Sequence, residues 1–299
     1  MKHTIVALLC VGICSAAVAD EKLTLTTFFD KTAFYRGEPV AVWLVAENSG
    51  TDTMIISVGG GPTGASFEVA DEHGKVLPYV GAVVQRASGA VDESQIVRPA
   101  SRRVFAETLD NSFRLNGAGT YTVTATARVA KTLRLANGKW KSSYGMEDIR
   151  TVRSEPQTIT ITDINDPAVA ILKDCKTGWL GCMHSYFVVR HGDPPRPRVQ
   201  LADPSILDPY IELVRMQFLE RPRDLRQWRG SFMKRFPAFD QPGLLWRTMA
   251  ESTNRYKLKE LDGLLGDARD DAVMARHPAL VEMEHRKTRL LEALKEATP

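Results

Sequence analysis

Along the chain the spacing of apolar positions changes character once, and that change divides it. Between about residues 21 and 163 the apolar residues come in short runs with a period of two, and no helical period lies between them. Val40, Val42 and Leu44 alternate with Ala41, Trp43 and Val45, so both sets are apolar and the run predicts a strand buried on both faces. Runs 53–58, 65–70, 120–129 and 157–162 predict further short strands. Asn48-Ser49-Gly50, Asp71-Glu72-His73-Gly74 and Asn137-Gly138 separate them with residues that tolerate positive φ, and Asn137-Gly138, between Leu133/Leu135 and Trp140, predicts a hairpin. After Pro204 the period becomes helical. Ile206, Tyr210, Leu213 and Phe218 mark one apolar stripe; Leu225, Trp228 and Phe232 a second; Leu244, Leu245, Met249 and Tyr256 a third; Leu280, Met283, Leu290 and Leu294 a fourth. Pro222, Pro237, Pro242 and Pro278 punctuate these stripes. Each is apolar on one side only, so the helices must bury those sides against one another or against the sheet.

The expected fold class is therefore multidomain, β followed by α: an antiparallel sandwich of two sheets over residues 20–165 and a helical domain over 204–299. Residues 166–203 form the junction, ending in the stiff, helix-breaking run Asp193-Pro194-Pro195-Arg196-Pro197-Arg198. A chain of 299 residues exceeds the usual domain size of roughly 100 to 150, which fits two domains. The run Tyr35-Arg36-Gly37-Glu38-Pro39-Val40 and the later Gly117-Ala118-Gly119-Thr120-Tyr121-Thr122-Val123 resemble the immunoglobulin-like domains of bacterial secreted proteins, including macroglobulin-type and proteinase-inhibitor-type sandwiches. Under that resemblance Tyr121 is placed like a tyrosine corner, its hydroxyl tying a strand start to upstream backbone. The resemblance implies architecture and transfers no catalytic residue.

Residues 1–19 read as a secretory signal: Lys2 and His3, an apolar run from Ile5 to Ala16, then small Ala17 and Ala19 flanking Val18, with cleavage expected before Asp20. The apolar run falls short of the roughly 20 residues that cross a hydrocarbon core, so no transmembrane span is expected and the protein is placed in the periplasm or outside the cell. Export changes the meaning of the cysteines. Cys10 and Cys14 leave with the signal, and Cys175 and Cys182, close together in an oxidising compartment, are read as a local disulfide. The alternative surrounds a metal ion with Cys175, Cys182, His184 and His191, although their spacing departs from familiar zinc sites. The formal charge of +3 is too small to imply nucleic acid as a partner.

Candidate chemistry is sparse. Phe187-Val188-Val189-Arg190-His191-Gly192 resembles the strand-then-Arg-His-Gly motif of histidine phosphatases, which implies His191 as nucleophile and Arg190 as phosphate clamp. The α/β context of that family is not matched by the helical text that follows. Gly59-Gly60-Gly61-Pro62-Thr63-Gly64 lacks the Gly-Lys-Ser/Thr ending of a phosphate loop and reads as a β-loop. Residues 215–235 are locally basic, and Arg223, Arg226 and Arg229 with Trp228 offer a cationic face for docking on an anionic envelope surface or an acidic protein. The competing reading puts Trp228 and Phe232 in the core and the arginines in solvent. No cofactor is expected. The leading function is an exported protein that recognises an envelope or secreted macromolecule, as an inhibitor or immunity-type protein; the alternative is a hydrolase centred on Arg190 and His191.

Overall fold

The computed structural model describes residues 23–57, 66–81, 95–115, 117–134, 140–142, 150–164, 205–217, 222–253 and 257–296. Its N-terminal part carries the strands β1 (Leu23–Phe29), β2 (Ala33–Tyr35), β3 (Ala41–Asn48), β4 (Met54–Ser57), β5 (Ser66–Ala70), β6 (Ile96–Val97), β7 (Ser101–Thr108), β8 (Gly119–Arg134), β9 (Trp140–Ser142), β10 (Arg150–Arg153) and β11 (Gln157–Thr162). β1, β3 and β7 make a three-stranded antiparallel sheet in that order. The second sheet runs β2-β11-β8-β4-β6 and is organised by β8, which also pairs with β5, β10 and β9.

The two sheets close on each other through Leu23 and Leu25 of β1, Leu44 and Ala46 of β3, and Phe105 of β7, against Met54, Ile56, Val97, Ala125, Ala127 and Val129. A second inter-sheet cluster holds Val40, Val42, Phe34, Val69, Val123 and Ile159. Alternation explains the rest: Ala41 and Trp43 of β3, with Val104 and Ala106 of β7, project from the opposite face of the same sheet. That face is covered by helices, so β3 is buried on both sides, as its doubly apolar run requires.

The helices are α1 (Asp208–Arg215), α2 (Leu225–Arg235), α3 (Pro242–Ser252), α4 (Leu258–Asp270) and α5 (Pro278–Glu296). Asp224 caps α2, its Oδ1 accepting the backbone N–H of Arg226 at 2.9 Å and of Gln227 at 3.0 Å. The four predicted stripes centre on α1, α2, α3 and α5, with Ile206 just before α1 and with Phe218 and Tyr256 outside the described residues. A fifth, Leu261, Leu264, Leu265 and Ala268 of α4, has the same period and was not picked out from the sequence. Tyr210, Ile211, Leu213, Phe232, Leu245, Trp246, Met249, Leu264 and Met283 join Trp43, Val104 and Ala106 in one core. The helices thus bury their stripes against one another and against the sheet together.

One expectation is corrected. The sandwich is not wholly antiparallel, because β2 pairs with β11 in parallel, Thr160 opposite Ala33 and Thr162 opposite Tyr35. The chain leaves the first sheet after Phe29 and enters the edge of the second at Ala33, so β2 meets the closing strand running the same way. Two sequence features appear as expected. The Tyr121 hydroxyl donates to the Gly117 carbonyl at 2.9 Å. β8 and β9 pair Leu133 with Lys141 and Arg134 with Trp140, while Asn137-Gly138 itself lies outside the described residues.

Candidate functional site

Asp30 follows β1 directly, where the chain crosses between sheets, and its ion pair with His277 is the most enclosed of those among the described residues. Its carboxylate accepts the backbone N–H of Gly243 at 3.2 Å and of Leu244 at 3.1 Å, the N–H groups at the start of α3 that no preceding turn can satisfy. Gln241, at the cap position, makes no side-chain cap bond. Asp30 therefore caps α3 from the sheet, with its negative charge at the positive end of the helix dipole.

His277 completes this junction. Its Nε2 lies 2.6 Å from Asp30 Oδ1, and the two side chains are only 3% and 1% exposed. His277 Nδ1 accepts the Ala279 N–H at 3.0 Å, so the ring proton sits on Nε2 and is donated to Asp30. Phe28 and Trp43 meet the imidazole edge-on at 4.7 and 4.8 Å. Both ring nitrogens are engaged, and no lone pair is left to take a proton from a substrate. The pair resembles an acid–base dyad in composition, but its geometry makes it a joint between sheet, α3 and α5.

A second joint lies on Glu38. Its Oε2 accepts the Tyr35 N–H at 2.7 Å and pairs with Lys31 Nζ at 2.9 Å, while Oε1 accepts the Tyr210 hydroxyl of α1 at 3.0 Å. Gln241 Nε2 donates to the same hydroxyl at 2.9 Å, and Lys31 also reaches Asp240 at 2.9 Å. Burial, then the Glu38 charge, push the Tyr210 pKa well above the ordinary tyrosine value, so the phenol stays protonated and keeps donating.

A third polar group lies between α3, α5 and β7. Arg247 Nε donates to Glu251 Oε1 at 2.8 Å, and Gln217 Nε2 donates to Glu251 Oε2 at 3.0 Å. Burial opposes the Arg247 charge, but Glu251 and Glu282 outweigh it and raise the pKa. Glu282 itself is raised, chiefly by burial. Arg286 of α5 donates to the Glu251 carbonyl at 3.0 Å and also to that of Thr253, so a cation covers the C-terminal end of α3 as Asp30 covers its N-terminal end.

Of the residues singled out from sequence, Cys175, Cys182, His184, Arg190 and His191 lie outside the described residues, as do residues 1–19 and the 166–203 junction. Arg226 Nε lies 2.7 Å from Asp267 of α4, and Arg226 Nη2 also donates to the Gly263 carbonyl at 2.8 Å. Arg229 pairs with Asp271 at 3.1 Å and stacks over the Trp246 ring at 4.4 Å. Trp228 packs against the core and Arg223 is exposed. The two arginines thus join α2 to its neighbours. The Asp30–His277 and Glu38–Tyr210 contacts escaped the sequence reading because the two ends of each lie more than 170 residues apart; the local signal was a His before Pro278.

Among the described residues no helix is long and apolar enough to cross a membrane, and no group of three His, Cys, Asp or Glu could hold a metal ion. No family model matches the chain, and no curated protein does. Solved structures similar to part of it include the ApaA protein from Bordetella pertussis, with 11% identity and TM-score 0.27 over 48% of this chain and 94% of that one. The CARDB domain of a Pyrococcus furiosus protein aligns with 11% identity and TM-score 0.24, over 48% of this chain and 89% of that one. A PapD-like domain of human CEP192 aligns with 14% identity and TM-score 0.23, over 55% of this chain and 98% of that one. The sandwich rests on the strand pairing described above and not on these likenesses.

Proposed function

We propose that the chain is an exported binding protein whose sandwich recognises a protein of the envelope or extracellular space. The observation that carries this reading is the apolar rim of the 71–81 segment, where Val76, Tyr79 and Val80 are 53%, 36% and 43% exposed. The rim is held rigid. Gly74 turns the chain at φ 76°, Asp71 accepts the N–H groups of His73 and Lys75, and Val80 N–H donates to the Ser112 carbonyl at 2.8 Å. Tyr79 bridges to Phe113, their rings 5.7 Å apart and edge-on. Aliphatic and aromatic side chains presented on a fixed turn lose little entropy on binding, which is the physical profile of an interface hot spot.

The ionisable residues add support, because the best-placed ones are engaged in holding sheet and helices together. The leader-like residues 1–19 support delivery across a membrane. The test is cross-linking in native envelope and secreted fractions with the intact chain and with Val76→Asp and Tyr79→Ala. A specific adduct that both variants lose, with unchanged far-UV circular dichroism, supports the reading. An adduct indifferent to both changes, or no adduct, removes it.

A further inference from the structure

Glu282, His285, Arg286 and Arg289 recur along α5 at spacings of three and four and so share one helical face. The neighbouring positions Ala279, Leu280 and Met283 share a core with Val104 and Ala106 of β7, which brings α5 against that strand. Arg102 and Arg103 immediately precede Val104 in the same strand. Alternation puts Arg102 on the same face of β7 as Val104 and Ala106, the face that α5 covers.

Arginines outnumber carboxylates there: Arg102, Arg103, Arg286 and Arg289 stand with Glu47 and Glu282. Arg289 lies 3.6 Å from Glu282, a long contact, and Glu282 also faces Arg247, which is already paired with Glu251. Arg286 is committed to the carbonyls at the end of α3. Glu47 stands opposite Arg102 across the strand pair. His285 sits within this positive field: burial first, then Arg103, Arg289 and Arg102, bring its pKa down to about 4. Its Nδ1 is buried and has no hydrogen-bond partner among the described residues. A neutral imidazole with an unsatisfied nitrogen beside guanidinium groups from two elements is a receptor for negative charge.

We propose that Arg102, His285 and Arg289 form a binding site for a multiply charged oxyanion of the sulfate and phosphate class. Guanidinium forks on β7 and α5 approach such an anion from different directions, which a single surface arginine cannot do. The anion reverses the field at His285, which then takes up a proton and donates it to the ligand. Binding is therefore coupled to proton uptake and strengthens as pH falls.

Inorganic sulfate is the probe, because its charge does not change over the working range. Calorimetric titration of the full chain at constant ionic strength, near pH 5 and near pH 7.5, should show saturable binding about tenfold tighter at the lower pH. Arg102→Gln and Arg289→Gln should each weaken it about tenfold, His285→Ala should flatten its pH dependence, and Arg223→Gln should leave it unchanged. Chloride at the same ionic strength should not compete. Melting curves establish that each variant is folded, and where one is not, the other arginine variant decides. Absence of saturable binding, or binding that survives both arginine changes, or binding equally strong at both pH values in the intact chain, overturns the proposal.

Discussion

Gly243 lies directly beneath the His277 ring: a Cβ at this position would fall 2.1 Å from His277 Cε1 and 2.7 Å from Asp30 Oδ1. Neither neighbour can retreat, because Asp30 holds the start of α3 and His277 is clasped between Asp30, Phe28 and Trp43. Intrinsic propensity argues the other way, since alanine is better than glycine inside a helix by about 0.5 to 1 kcal/mol. Overpacking decides the sign. Gly243→Ala should destabilise the protein by about 1 to 3 kcal/mol, read as a lower urea midpoint. An unchanged or raised midpoint would show that the joint is looser than its geometry indicates.

Tyr210 carries the second link between helices and sandwich. Tyr210→Phe removes the hydroxyl that donates to Glu38 and accepts from Gln241, leaving a buried carboxylate oxygen and a buried amide without that partner. The expected loss is about 1 to 3 kcal/mol, at the upper end of a single hydrogen bond because one partner is charged. Urea titration followed by tryptophan fluorescence reads it, since Trp43 and Trp246 lie in the shared core. A loss well under 0.5 kcal/mol would mean that water replaces the phenol at Glu38 at little cost.

Arg229 tests whether the basic helix is held by its own neighbours. Its guanidinium carbon sits over the Trp246 ring, 4.4 Å from the centroid, while the group also reaches Asp271, a combination that a lysine ammonium cannot reproduce. Arg229→Lys should therefore lower stability by about 0.5 to 1 kcal/mol although the charge is kept. Arg226, paired with Asp267 on a side chain more than half exposed, should contribute less, about 0.2 to 1 kcal/mol in a double-mutant cycle with Asp267. Equal effects at the two positions would argue against the stacking contribution.

These positions show what a single sequence can and cannot carry. The doubly apolar run at 40–45 announced a strand covered on both sides, and the helical stripes announced faces seeking cover, because burial leaves a periodic trace. The trace names neither partner. Trp43 is announced as buried by the run around it, but its sharing of one core with Trp246 is a tertiary fact without a local pattern. The parallel β2·β11 pair is hidden for the same reason, since a three-residue strand has too few positions to show a period. Asp30 is the sharpest case. In sequence it is an acid after two phenylalanines, and only the distant start of α3 makes it a cap.

Asp110 gives a pH dependence with a definite sign. It lies in the 3-10 turn Leu109–Asn111 after β7, where its Oδ1 accepts the Val40 N–H at 3.1 Å. Burial raises its pKa from 3.8 to about 7, against the hydrogen bonds from Val40 and from its own backbone, which favour the charged form. In the unfolded chain the carboxyl loses its proton near the ordinary value, so between about pH 4 and pH 7 the folded state binds the extra proton. The contribution of Asp110 is therefore most favourable below about pH 4, declines as pH rises, and is flat above about pH 7. Its full cost is at most about 4 kcal/mol and is smaller here because the residue keeps some contact with solvent. Asp110→Asn keeps an acceptor for Val40 and removes the charge. The variant should gain stability relative to the intact chain as pH increases through that window, by about 1 to 3 kcal/mol in all, measured by urea unfolding at a series of pH values. A difference between the two proteins that stays constant from pH 4 to pH 7 would place the ionised carboxylate in contact with water after all.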